Sequence, residues 1–188
     1  TSRNWAVWLP EYLDRYEPDP LRYVLTATMP ETSDSDFSWT EYVRRNNDEL
    51  VATFGNLVHR VLTLVHRHFQ GRIPVPGQFT SEDQGLIDKI QVAFNSVGTS
   101  LGACRFREGV QGFMALAHEA NRYLDAQSPW KKVKDDPDSA ARCLYTTLCA
   151  LSGLRILTQP FIPFSAQRLH ELLGFSGLVE NASWNLEF

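Results

Sequence analysis

Between Glu49 and Glu82 the chain has no acidic residue, while Arg60, Arg67, Arg72 and three histidines fall there. The whole sequence carries 18 basic against 22 acidic residues, a formal net charge of -4. A basic stretch in an acidic chain is a local surface, not the uniform coat of a nonspecific polyanion binder. On a helix, steps of ~100° per residue put Asn56, Arg60, Thr63 and Arg67 on one stripe, away from the apolar seam. Asn56 and Arg60 are one turn apart, so both side chains can reach one ligand. The bland alternative is a solvated helix face. A second cluster follows at Ser128-Pro129-Trp130-Lys131-Lys132-Val133-Lys134. Pro129 stops a helix and stiffens the turn carrying Trp130, whose ring either plugs the end of a bundle or stacks on a base. Stacking on an aromatic contributes about 1–3 kcal/mol per base. Arginine and asparagine offer donors and an amide for base edges, and lysines hold phosphates. Together these types suit single-stranded RNA presented in a loop.

Other chemistries find little support. The sequence has no G-x-S-x-G, no Walker-type glycine loop and no H-E-x-x-H. Asp135 and Asp136 stand where a helix starts, and capping explains them better than acid–base work. Cys104, Cys143 and Cys149 form no C-x-x-C pair and read as buried free thiols of a reducing compartment. The histidines have no ligand spacing, so no metal site is expected. The apolar run Leu144 to Leu157 is broken by Arg155 and is short for a bilayer span. A cytoplasmic location without membrane attachment is the expectation.

The elements that must position these groups are helices. The pattern predicts a mainly α fold, an antiparallel helical bundle preceded by a small α/β segment. In residues 1–39, Trp5 to Trp8 reads as a short strand and Glu11 to Tyr16 as a helical turn or two. Asp19-Pro20 reads as the N-cap and first position of a helix over Leu21 to Thr28. From residue 40 to 188 long helices follow. The first spans about Thr40 to Phe69, with apolar residues at three- and four-residue steps. The second opens at a capping box of Ser81 with Gln84 and runs toward Leu101. The third spans Phe106 to Gln127, the fourth starts at Asp136-Pro137 and continues to about Thr158, and the fifth runs from Phe164 to Leu173. The tail with Trp184 is expected to lie back across the bundle.

Several segments, in order and spacing, resemble the methionyl-tRNA synthetases. They are Asp19-Pro20-Leu21-Arg22-Tyr23, Asp34 through Trp39, Asn47 through Leu50, Gly55-Asn56-Leu57-Val58-His59-Arg60, and Ser128-Pro129-Trp130. The resemblance covers essentially the whole chain. It implies that residues 1–39 belong to a stem-contact segment and residues 40–188 to an anticodon-binding bundle. It further implies that Asn56, Arg60, Pro129 and Trp130 recognise a CAU anticodon, with Trp130 stacking on its cytosine. Arg67, Lys131, Lys132 and Lys134 are candidate phosphate contacts. Thr1 and Ser2 resemble the end of the family's K-M-S-K-S loop, with threonine replacing the second lysine. On that basis the catalytic domain, which uses ATP and Mg, lies outside this chain and would be its partner in one enzyme. The chain itself is expected to hold no cofactor, to be inactive alone, and to bind methionine-specific tRNA rather than DNA. The competing readings are the anticodon domain of another class I synthetase, or a helical protein-interaction module that has lost RNA binding.

Overall fold

A computed structural model of the protein describes residues 6–31 and 34–186. Two short helices come first, α1 (Leu9–Leu13) and α2 (Pro18–Ala27). Helix α3 (Trp39–Arg45), a π-helical stretch (Asn46–Gly55) and α4 (Asn56–Phe69) then form one continuous rod, since the backbone stays right-handed at both junctions. Three 22-residue helices follow, α5 (Ser81–Gly102), α6 (Phe106–Gln127) and α8 (Pro137–Thr158), with the single turn α7 (Pro129–Lys132) between the last two. Helix α9 (Pro163–Leu172) and a 3₁₀ turn (Val179–Asn181) complete the order. Among the described residues there is no strand: of the expected strand from Trp5 to Trp8, Trp5 lies outside the described residues and residues 6–8 are irregular, having no neighbouring strand to complete a ladder.

The apolar periodicity explains the packing. Helices α5, α6 and α8 pack pairwise, and α8 is buried on nearly every side. A helix buried all round must satisfy its own polar groups. Thr147 and Thr158 do so by donating to the carbonyls of Cys143 (2.8 Å) and Leu154 (2.7 Å). Gly153 lets α5 come close, because a Cβ there would sit 2.7 Å from Cγ2 of Ile90. Arg155, the interruption in the apolar run, is fully buried. Its Nη1 lies 3.0 Å from Nδ1 of His170, and its guanidinium lies 3.8 Å above the Phe175 ring. Trp184 does lie back on the bundle, donating to the carbonyl of Phe94 at 3.2 Å. Tyr23 and Val24 of α2 share the core with residues of the long helices.

Two caps differ from the sequence reading. The cap of α5 is Thr80 rather than Ser81, with Asp83 as its reciprocal partner. Asp83 is drawn inward because it also accepts from Tyr123 and pairs with Nε of Arg142 at 2.9 Å. Asp19 does not cap its own helix, which begins at Pro18. It is buried, and its Oδ2 accepts from the backbone N–H of Ser165 at 2.6 Å, so it caps α9 from 146 residues away. The cap at Asp136 is as read, accepting from the N–H of Ser139 at 3.1 Å.

Candidate nucleic-acid interface

The helix that carries Asn56 and Arg60 owes its phase to the π-helical stretch. Wider turns with i to i+5 bonding re-aim every side chain that follows. Gly55 stands where the turn is tightest against the previous one: a Cβ would lie 3.2 Å from the carbonyl of Leu50. The carbonyl of Thr53 takes a hydrogen bond at 3.0 Å from Nδ2 of Asn121, a side chain of α6. Upstream, Tyr23 donates to Glu49 at 2.5 Å, and Arg45 bridges Glu41 and Glu49. Hydrogen bonds from Arg44, with the nearby Arg45 charge, hold the Glu41 carboxyl down to about 2. Neighbours on several elements thus hold the stretch in place.

Arg60 points at α6. Its Nη2 pairs with Oδ1 of Asp125 at 2.5 Å, and its Nη1 approaches Oδ1 of Asn121 at 3.5 Å. The same guanidinium lies 5.1 Å from the centre of the Trp130 ring, within range of a cation–π contact. The structure therefore brings together two residues 70 positions apart in sequence. Trp130 is 38 % exposed, so it does not plug the bundle end. The left-handed backbone at Ser128 (φ 47°) ends α6, Pro129 is buried at the start of α7, and the ring is left at the surface.

Asn56 is exposed, and its side chain makes no hydrogen bond among the described residues. It borders a groove of about 760 Å³ between the rod and α9. Of the candidate phosphate contacts, Arg67, Lys131 and Lys134 are exposed. Lys132 is held within its loop, donating to Gln127 and to Ser139, each at 3.3 Å. Thr1 and Ser2 lie outside the described residues. No group of three or more side chains that could hold a metal ion occurs among the described residues, and no helix there is long and apolar enough to cross a membrane. Of the cysteines, Cys143 and Cys149 are buried as expected, but Cys104 is exposed in the turn after α5, where its backbone is left-handed (φ 56°).

Sequence reasoning missed Asn121 and Asp125, which set the position of Arg60. Both lie on α6 one turn apart, and Asp125 stands just before the turn that presents Trp130. That adjacency was the signal. It could not name Arg60, because the pairing spans 65 residues and depends on how the rod crosses α6.

Residues 73–187 match the family model described as the anticodon binding domain of methionyl tRNA ligase, and residues 1–62 match that of class I (M) tRNA synthetases. A methionine–tRNA ligase of Roseiflexus sp. (strain RS-1) is 51% identical over 179 residues, 95% of this chain and 30% of the relative. One from Dehalococcoides mccartyi (strain ATCC BAA-2266 / KCTC 15142 / 195) is 50% identical over 186 residues, 99% of this chain and 34% of the relative. The chain thus spans about a third of the curated relatives it matches. The crystal structure of Mycobacterium tuberculosis methionyl-tRNA synthetase bound by methionyl-adenylate superposes with a TM-score of 0.89 at 27% identity, over 94% of this chain and 36% of that one. With its model matched over more than half of the residues, the chain belongs to the family of methionyl-tRNA ligase anticodon-binding domains.

Proposed function

We propose that this chain reads the CAU anticodon loop of a methionine-specific tRNA through Asn56, Arg60 and Trp130. The carrying observation is the placement of the Arg60 guanidinium 5.1 Å from a half-exposed tryptophan ring. A base-stacking face and a base-edge donor then stand side by side at the surface. Trp130 takes the cytosine by stacking, for about 1–3 kcal/mol. Arg60 and Asn56 supply donors and an acceptor to base edges, where each well-formed pair discriminates by about 1–3 kcal/mol. Arg67, Lys131 and Lys134 hold phosphates, which sets register without reading sequence, whereas Lys132 is engaged by Gln127 and Ser139.

The ion pair to Asp125 holds Arg60 near Trp130 in the absence of RNA. It lies at the surface, with the Asp125 side chain 61 % exposed, so releasing it costs little. Residues 1–39 serve as the stem-contact segment and residues 40–188 as the reading bundle. Attachment of methionine with ATP and Mg is the proposed activity of the longer proteins, in the cytoplasm. The part contributed here is recognition.

The test is a binding titration of the 188-residue chain against two stem-loops, one with a CAU loop and one with the first base changed. The expected outcome is a preference of about tenfold or more for CAU. Equal affinity would remove the anticodon reading and favour a helical interaction module.

A further inference from the structure

Of the three base-reading residues only Asn56 borders the groove; Arg60 and Trp130 do not line it. One wall is the rod, with Leu50, Phe54, Val58 and Leu62, and the other is α9, with Leu169 and Leu172. Its volume of about 760 Å³ falls in the range of sites that enclose a small ligand. The apolar surface is open: Val51 at one lip is 58 % exposed and Leu172 at the other is 56 % exposed.

The polar groups bordering the groove are one-sided. Arg168 and His59 are exposed and pair with no acid among the described residues. The one carboxylate lining it, Asp19, is 4 % exposed; its Oδ2 accepts from the amide of Ser165, and its Oδ1 is buried with no hydrogen-bond partner among the described residues. Asn46, Asn56 and Thr63 add neutral groups. An apolar lining bordered by unpaired cationic and amide groups suits a nucleotide, whose base has apolar faces and whose phosphate is anionic.

We infer that this groove is a second nucleotide subsite, taking one unstacked nucleotide of the same RNA loop from outside the anticodon triplet. The inference rests on the anticodon reading for its choice of RNA, because Asn56 borders both the groove and the helix turn that carries Arg60. The base lies on the apolar floor between Leu172 and the rod, and Arg168 with His59 faces its phosphate. An acidic peptide would satisfy the cations too, but Asn56, one of the proposed base readers, lines the groove, which favours a nucleotide of the same RNA.

The experiment uses the full 188-residue chain and CAU stem-loops in which each loop nucleotide outside the triplet is replaced, one at a time, by an abasic residue. Arg168→Ala and Leu172→Gln are the variants; both sites are exposed, and circular dichroism checks their folding. The expected result is one loop position where the abasic change costs about tenfold in affinity, a cost that disappears in Leu172→Gln. Arg168→Ala should lower the slope of log affinity against log salt by about one. Preference for CAU over the changed first base should persist in both variants. A preserved preference with no sensitive abasic position and a silent Arg168→Ala overturns the groove and leaves it to a protein segment. Groove effects without any CAU preference would instead defeat the anticodon reading and keep the subsite. No RNA binding at all defeats both.

Discussion

Two polar clusters hang from different sides of α6, and they are built for opposite ends. Tyr123 points inward to Asp83, which is 2 % exposed and also holds Thr80 and Arg142. Asn121 and Asp125 point outward to Arg60, which lies against the exposed Trp130. Both clusters pair a carboxylate with an arginine. The inner one closes on itself: backbone N–H, hydroxyl, phenol and guanidinium all converge on a single acid. The outer one leaves a ring face and an unpaired Asn56 open to solvent. A buried ion pair specifies how α5, α6 and α8 meet, while a surface pair holds a cation without trapping it.

The widest gap between the two clusters should appear on removing the acid from each. Asp83→Ala strips a partly exposed arginine and a buried phenol of their partner, and is expected to cost about 3 kcal/mol of stability. Urea unfolding measures it; a loss below about 1 kcal/mol would mean that the inner cluster is no more structural than the outer one. Asp125→Ala, on the same assay, is expected to change stability by about 1 kcal/mol or less.

The inner acid also gives a pH signature. Burial alone would raise the Asp83 carboxyl, but hydrogen bonds from Tyr123 and Thr80 and the Arg142 charge outweigh it and hold it below its ordinary value. A carboxyl depressed in the fold contributes stability that is present above its unfolded pKa and lost as pH falls through the folded one. Stability should therefore decline with acidification from the ordinary aspartate range downward, and that part of the decline should be missing in Asp83→Asn. The smallest effect concerns the thiols. Burial pushes Cys143 and Cys149 up to about 12, whereas Cys104 is exposed. One thiol is expected to react with a thiol reagent at neutral pH in the native chain, and all three in denaturant.

How much of this was legible in the sequence differs between the clusters for a physical reason. Local signals carried well. The bounds of α6, the cap at Asp136 and the two residues Asn56 and Arg60 one turn apart depend on neighbours within a few positions. Contacts made across the fold did not carry. Asp19 sits beside a proline in the pattern of a local cap, yet it serves α9, because the chain returns there only after the whole bundle is built. Thr80 displaced Ser81 as a cap because Asp83 is claimed by α6 and α8. The π-helical stretch left no periodic trace, since its apolar residues still recur at three and four steps. The grouping of Arg60 with Trp130 in one site came from the family resemblance and could not be derived from spacing.

The outer cluster carries the central claim, that an exposed tryptophan beside a tethered arginine reads a base. The most direct test measures the Trp130→Ala variant twice, by affinity for CAU and changed-base stem-loops and by thermal unfolding. The account predicts that CAU affinity falls about tenfold or more and that the CAU preference shrinks. Stability should stay within about 1 kcal/mol, since the ring is 38 % exposed. An unchanged CAU preference, or a large loss of stability in its place, would contradict it.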